Sequence, residues 1–146
     1  MHCRSDILIS VKPQYVAEML RGDKSVELRR RSIRVPIGTT VWIYETVPSG
    51  RVGAVAEVSA VDESVPNEVW SRYRNRIGLS RQAFLSYFEG SERACAVVFR
   101  RIRPLRRSLG LAELRTALGA FVAPQFYRKL PQDSTELALF RELVPG

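Results

Sequence analysis

Gly22-Asp23-Lys24-Ser25-Val26-Glu27-Leu28-Arg29 decides how this chain is read. Gly22 closes a short helical pattern, a position where glycine is a good stop. A strand follows. Alternation puts Val26 and Leu28 on one face and Glu27 and Arg29 on the other. The apolar pair packs inward, so the charged pair must face something polar. Strict alternation sets Lys24 on the Val26 side, and it joins Glu27 only if the turn at Gly22-Asp23 rotates it. As an exposed strand ion pair, the cluster would be worth at most about 1 kcal/mol.

The flanking sequence supplies the frame. Upstream, Ile7 to Val11 reads as a first strand, ended by Lys12-Pro13. Pro13 suits a helix start, and Val16, Met19 and Leu20 make one apolar helical face. Downstream, Arg29, Arg30, Arg31 and Arg34 form a basic connection punctuated by Pro36 and Gly38. Thr39 to Thr46 alternates, with Val41 and Ile43 on one face and Trp42 and Tyr44 on the other. Pro48-Ser49-Gly50 is a turn, and Arg51 to Val61 is a long strand. Two helices follow. Ser64 caps the first, with the stripe Val69, Trp70, Tyr73 and Ile77. Ser80 caps the second, with Phe84, Leu85 and Phe88 on its apolar face. Arg93 to Arg103 returns as a strand that Pro104 is expected to end. The tail reads as a helix around Leu111, Leu114 and Leu118, a loop or short extended piece, and a final helix capped by Asp133 or Ser134. The expected class is α+β, with mostly antiparallel strands closing or nearly closing into a small barrel surrounded by helices. One domain is expected over residues 1–146. Its core would span roughly 7–103, with 104–146 a helical C-terminal extension.

Composition narrows the partners. The chain has 146 residues, 45% of them hydrophobic, enough for one core, and a formal net charge of +8. Such a balance suits an anionic partner, nucleic acid first. Arginine outnumbers lysine and is the better fork for phosphate. Only one histidine, His2, and two cysteines, Cys3 and Cys95, are present. No zinc spacing or disulfide framework can be built from them, so no metal is expected and the cytoplasm is the expected compartment. No stretch reads as a signal peptide or a membrane span. The glycine-rich nucleotide loops, the Gly-x-Ser-x-Gly elbow and His-Glu-x-x-His are all missing, and no cofactor is expected.

Three stretches carry a resemblance. Ile9-Ser10-Val11-Lys12-Pro13, the Gly-x-Lys-x-x-Glu-x-Arg of residues 22–29, and Val41-Trp42-Ile43-Tyr44-Glu45-Thr46 with its Tyr-x-Thr resemble the ASCH domain. That family belongs to the PUA-like barrel superfamily. The resemblance covers roughly residues 7–103, and Ala123 to Leu130 is similar to a tail found in some members. It implies a barrel with a cleft beside the signature, and binding of RNA or a modified nucleobase. It also implies a departure. A bacterial branch that resembles an acetylcytidine amidohydrolase carries Lys-x-x-Thr with a threonine nucleophile, and Glu27 stands in that place here. Ser25 is a hydroxyl nearby, turned the same way as Glu27 by alternation.

The expected site is Lys12, Lys24, Glu27, Arg29 and Tyr44, with Arg30 and Arg31 at its approach. Lys24 and Arg29 suit a phosphate or a base carbonyl, and Glu27 an exocyclic amine. Tyr44 would stack on a base, whereas Trp42 more plainly packs under a helix. The run Arg100, Arg101, Arg103, Arg106 and Arg107 could track a phosphate backbone or simply be solvated. Binding of RNA or a nucleotide-like ligand is the leading expectation. The alternative is a hydrolase on RNA or modified nucleosides, with Lys24 shuttling the proton and Glu27 as acid–base group.

Overall fold

The computed structural model describes residues 4–146, so His2 and Cys3 lie outside the described residues. The order is β1 (Asp6–Val11), α1 (Pro13–Arg21), β2 (Val26–Arg29), β3 (Thr40–Glu45), β4 (Arg51–Ser64), α2 (Pro66–Tyr73), α3 (Arg81–Tyr87), β5 (Ala94–Gly110), α4 (Leu111–Leu118), β6 (Tyr127–Lys129) and α5 (Thr135–Arg141). The strands form one mixed sheet in the order β2-β5-β4-β3-β1-β6. Only β1 and β3 pair in parallel, with Ile7 opposite Val41 and Ile9 opposite Ile43. α1 and β2 form the crossover between them. The α+β class expected from the sequence is therefore correct, and the sheet is an open half-barrel.

The curl of that sheet positions the site. Three strands separate β2 from β1 in the sheet order. Yet Arg29 Nη2 on β2 donates to the Ser10 carbonyl on β1 at 3.0 Å. The long strands make this possible. β4 and β5 shift register three times along their pairing, and each bulge adds twist and bend. Arg101 sits at φ 53°, a left-handed conformation rare for a side chain larger than glycine. Pro104 does not end β5, contrary to expectation. It lies opposite Ala54 next to a register shift, where a residue without an N–H breaks no regular ladder. β5 runs on to Gly110 and carries the chain into α4.

Apolar residues collect in three clusters. Ile7, Ile9, Val41, Ile43, Val97 and Phe99 fill the concave side with Val16 and Met19 of α1. Leu8, Trp42 and Tyr44 face the other way, onto Leu114, Leu137 and Phe140 of the C-terminal helices. Val26 and Leu28 pack with Val69, Ile77, Phe84 and Phe88. The C-terminal segment is tied down by a buried polar hub. Asp6 accepts from Trp42 Nε1 at 2.9 Å, Gln132 Nε2 at 2.9 Å and Arg141 Nη2 at 3.3 Å. Ser80 and Ser134 cap α3 and α5 as expected. α2 instead begins after Val65, without a side-chain cap, and Ser64 donates to Glu68.

Candidate functional site

The chain turns sharply between α1 and β2. Gly22 adopts φ 89°, which favours glycine, and the Asp23 and Lys24 amides both donate to the Glu18 carbonyl. Ser25 and Val26 amides then donate to the Arg76 carbonyl. This turn rotates Lys24 out of the strand pattern, and its side chain is buried beneath residues 76–78. Its ammonium donates to the carbonyls of Val26 at 2.6 Å and Ile77 at 2.7 Å. It also lies 3.5 Å from Glu27 Oε1. On the other side, Arg29 Nη2 reaches Glu27 Oε2 at 2.6 Å. The Arg29 guanidinium stacks on Phe126, 4.3 Å from the ring centroid. Lys24, Glu27 and Arg29 thus converge as one cluster, with Lys24 and Glu27 only 3% and 6% exposed.

Burial sets the electrostatics. Desolvation is the largest influence on Lys24 and holds its pKa below that of an ordinary lysine, with Glu27 and then Glu18 pulling it back up. Glu18 Oε2 and Arg29 Nε are buried without a hydrogen-bond partner. Unpartnered buried polar atoms are rare enough to need a reason, and both border this cluster. Gly78 packs so closely here that an added Cβ would meet Glu18 Oε2 at 2.8 Å and Lys24 Cδ at 3.3 Å.

The cluster forms one side of a cavity of about 310 Å³, lined by Ser10, Lys12, Tyr15, Lys24, Glu27, Leu28, Arg29, Thr46, Leu79, Tyr87 and Gln125. Of the expected site residues, Lys12, Lys24, Glu27 and Arg29 line it. Tyr44 does not. The alternation of β3 sends it to the opposite face, where it packs against Phe121 with centroids 5.7 Å apart. Thr46, two residues on and beyond the strand end, lines the cavity instead. Burial pushes the Tyr44 hydroxyl up from its ordinary pKa, Arg115 opposing. Arg30 and Arg31 are exposed and outside the lining, and Arg30 donates to the Glu89 carbonyl. Ser25 is also turned away, and its hydroxyl accepts from Arg76 Nε at 2.7 Å. The basic run on β5 is largely engaged: Arg100 and Arg101 with Glu57, Arg107 with Glu113, and Arg106 with the Glu142 carbonyl.

Sequence reasoning missed Tyr15 and Tyr87 as cavity residues. Tyr15 follows the Lys12-Pro13 corner and lies with its ring 5.2 Å from Lys24 Nζ. Tyr87 comes from α3, and nothing local links that helix to the signature. Gln125 belongs to a strap laid across the end of β1, where Ser10 Oγ donates to the Pro124 carbonyl at 2.6 Å and the Ser10 amide to the Phe126 carbonyl at 3.0 Å. No group of His, Cys, Asp and Glu side chains among the described residues is arranged to hold a metal ion.

Comparison with known proteins matches this geometry to a family. The sequence profile of a domain of unknown function (DUF365) matches residues 6–123. An ASCH domain-containing ribonuclease from Zymomonas mobilis is 33% identical over 133 residues, covering 91% of this chain and 89% of that protein. This chain belongs to the ASCH family. The crystal structure of ASCH from Zymomonas mobilis superimposes with a TM-score of 0.88 at 31% identity, covering 98% of each chain. Human THYN1, solved in complex with DNA containing 5-methylcytosine, matches with a TM-score of 0.50 at 13% identity over 97% of this chain and 99% of that one. At that identity the likeness to THYN1 is one of fold alone. In this ASCH domain, Lys24, Glu27 and Arg29 line the open cavity beside β2.

Proposed function

We propose that this ASCH domain binds RNA, taking one nucleotide into the cavity beside β2. The observation that carries the reading is the carboxylate of Glu27, held between two cations at the cavity wall. Lys12, Lys24 and Arg29 outnumber Glu27 and the neighbouring Glu18, so the site attracts an anionic ligand while Glu27 keeps one strong acceptor for a base edge. Tyr15, Tyr87 and Leu79 offer apolar faces to the base. The exposed Arg30 and Arg31 extend the positive approach, and the net charge of +8 adds a long-range field. The role fits the cytoplasm, and no helix among the described residues is long and apolar enough to cross a membrane. Fluorescence anisotropy with labelled RNA tests the reading. Binding at low salt that weakens steeply as salt rises is expected. No binding at low salt overturns it.

A second reading is RNA cleavage, favoured by the relative named a ribonuclease. The ribose 2′-oxygen would attack phosphorus, Glu27 would take its proton, and the departing 5′-oxygen would receive a proton from the Lys12 ammonium at the cavity wall, with Lys24 holding Glu27 in place. Gel analysis of end-labelled RNA decides between the two. Fragments from the wild type and none from a Lys12→Ala protein that still binds RNA would establish cleavage.

A further inference from the structure

Glu27 also indicates which base the cavity takes. We infer that the cavity selects guanine, gripping its ring N1–H and its 2-amino N–H side by side on the two oxygens of Glu27, an inference that rests on the RNA reading of this site. A carboxylate accepts only, and its two oxygens offer about four lone-pair directions. Arg29 occupies one on Oε2 at 2.6 Å, and Lys24 faces Oε1 at 3.5 Å. One direction then remains on each oxygen of a residue that borders the cavity.

Two parallel acceptors select two parallel donors. Guanine presents them on one edge with no acceptor between. Adenine and cytosine each set a ring-nitrogen acceptor beside their amino group, and uracil flanks its one N–H with two carbonyls. Each of these would push an acceptor against a carboxylate oxygen. A guanidinium carries the same donor pair as guanine, but it would enter beside Lys12, Lys24 and Arg29, and like charges oppose that. Guanine is neutral and brings an anionic phosphate with it.

The rest of the lining fits the same base. Guanine's carbonyl oxygen needs a donor next to the N1–H. Lys24 is not the source, because its protons already go to the Val26 and Ile77 carbonyls and toward Glu27. Gln125, Thr46 and Lys12 border the cavity and supply amide, hydroxyl and ammonium donors. At about 310 Å³ the cavity lies at the small end of ligand sites, the range for one nucleoside rather than a dinucleotide.

Isothermal titration of the wild-type protein with guanosine, inosine, adenosine, cytidine and uridine 5′-monophosphates tests this. Guanosine monophosphate is expected to bind tightest. Inosine monophosphate, which lacks only the 2-amino group, is expected to bind about tenfold more weakly. Glu27→Gln replaces one acceptor by a donor and is expected to erase the difference between those two. Arginine is expected not to compete. Equal binding of the inosine and guanosine nucleotides, a preference for any of the other three, or displacement by arginine would overturn the guanine inference while leaving the RNA reading standing. If neither nucleotides nor RNA bind at low salt, both fall. The wild-type comparison decides alone should Glu27→Gln fail to fold.

Discussion

Lys24 is buried with three acceptors around one ammonium, and its replacement should be felt in stability as well as in binding. Lys24→Met keeps the length and removes the donors. It leaves the Val26 and Ile77 carbonyls unpartnered and Glu27 with Arg29 alone. A loss of about 2–3 kcal/mol in urea unfolding is expected. The pH dependence has a defined sign. Burial lowers the Lys24 pKa from 10.5 in the folded protein. Between that lowered value and 10.5, the unfolded chain holds a proton that the folded chain has released. Stability owed to this group therefore rises with pH across that interval and is level below it. Subtracting the Lys24→Met stability from that of the wild type at each pH isolates the effect, and a difference that fell over the interval would show that desolvation is not dominant. Gly78→Ala tests the same pocket from the backbone side. At φ 77°, with Glu18 Oε2 2.8 Å from the added methyl, it should cost about 1–2 kcal/mol in thermal or urea unfolding.

At the scale of the element, β5 pairs with β4 through three register shifts. The sequence reads it as ending at Pro104, because proline cannot donate to a ladder. The structure keeps the strand and places the proline beside a register shift. A few residues earlier, Arg101 holds a left-handed conformation at φ 53°. Its ion pair with Glu57 is exposed and worth little, and Arg100 holds the same carboxylate at 3.0 Å. Arg101→Gly should therefore stabilise the protein by up to about 1 kcal/mol, seen as a higher melting temperature. A lower one would show that the side chain matters more than the strain. The short helices were easier to read: Gly22, Ser80 and Ser134 act within a few residues of where they stand, so their roles need no tertiary partner.

Across the whole molecule, the C-terminal segment and the sheet should unfold together. Asp6 on β1 gathers Trp42, Gln132 and Arg141, and Leu8 and Trp42 lie under Leu137 and Phe140. Asp6→Ala removes the hub and is expected to cost about 2–4 kcal/mol while keeping a single transition, followed in parallel by far-ultraviolet circular dichroism and tryptophan fluorescence. Two separated transitions would mean that residues 104–146 fold apart from the rest. The site is equally a product of the whole. Its lining comes from β1, α1, the turn before β2, β2, α3, the segments after β3 and α2, and the strap before β6. The Lys12 corner and the Lys24, Glu27 and Arg29 signature were legible beforehand, and the resemblance also marked the tail from Ala123 to Leu130 that carries Gln125. Tyr15 and Tyr87 carry no local mark of belonging to it.

The sequence alone determined the order of elements, the α+β class and the signature, because turn glycines, caps and two-residue alternation act over a few residues. It also determined the positive field, which depends on counts and not on positions. Tertiary structure decided the rest. Strand alternation could say that Tyr44 opposes Ile43, but not which face carries the cavity; the curl of the sheet put Tyr44 against Phe121 on the other side. The same curl brought Arg29 across to Ser10, although three strands lie between β2 and β1 in the sheet. The turn at Gly22 swung Lys24 from its alternation position toward Glu27. Each of these depends on where bulges bend the long strands and which loop lands on them, and such long-range contacts have no signature in a local window of sequence.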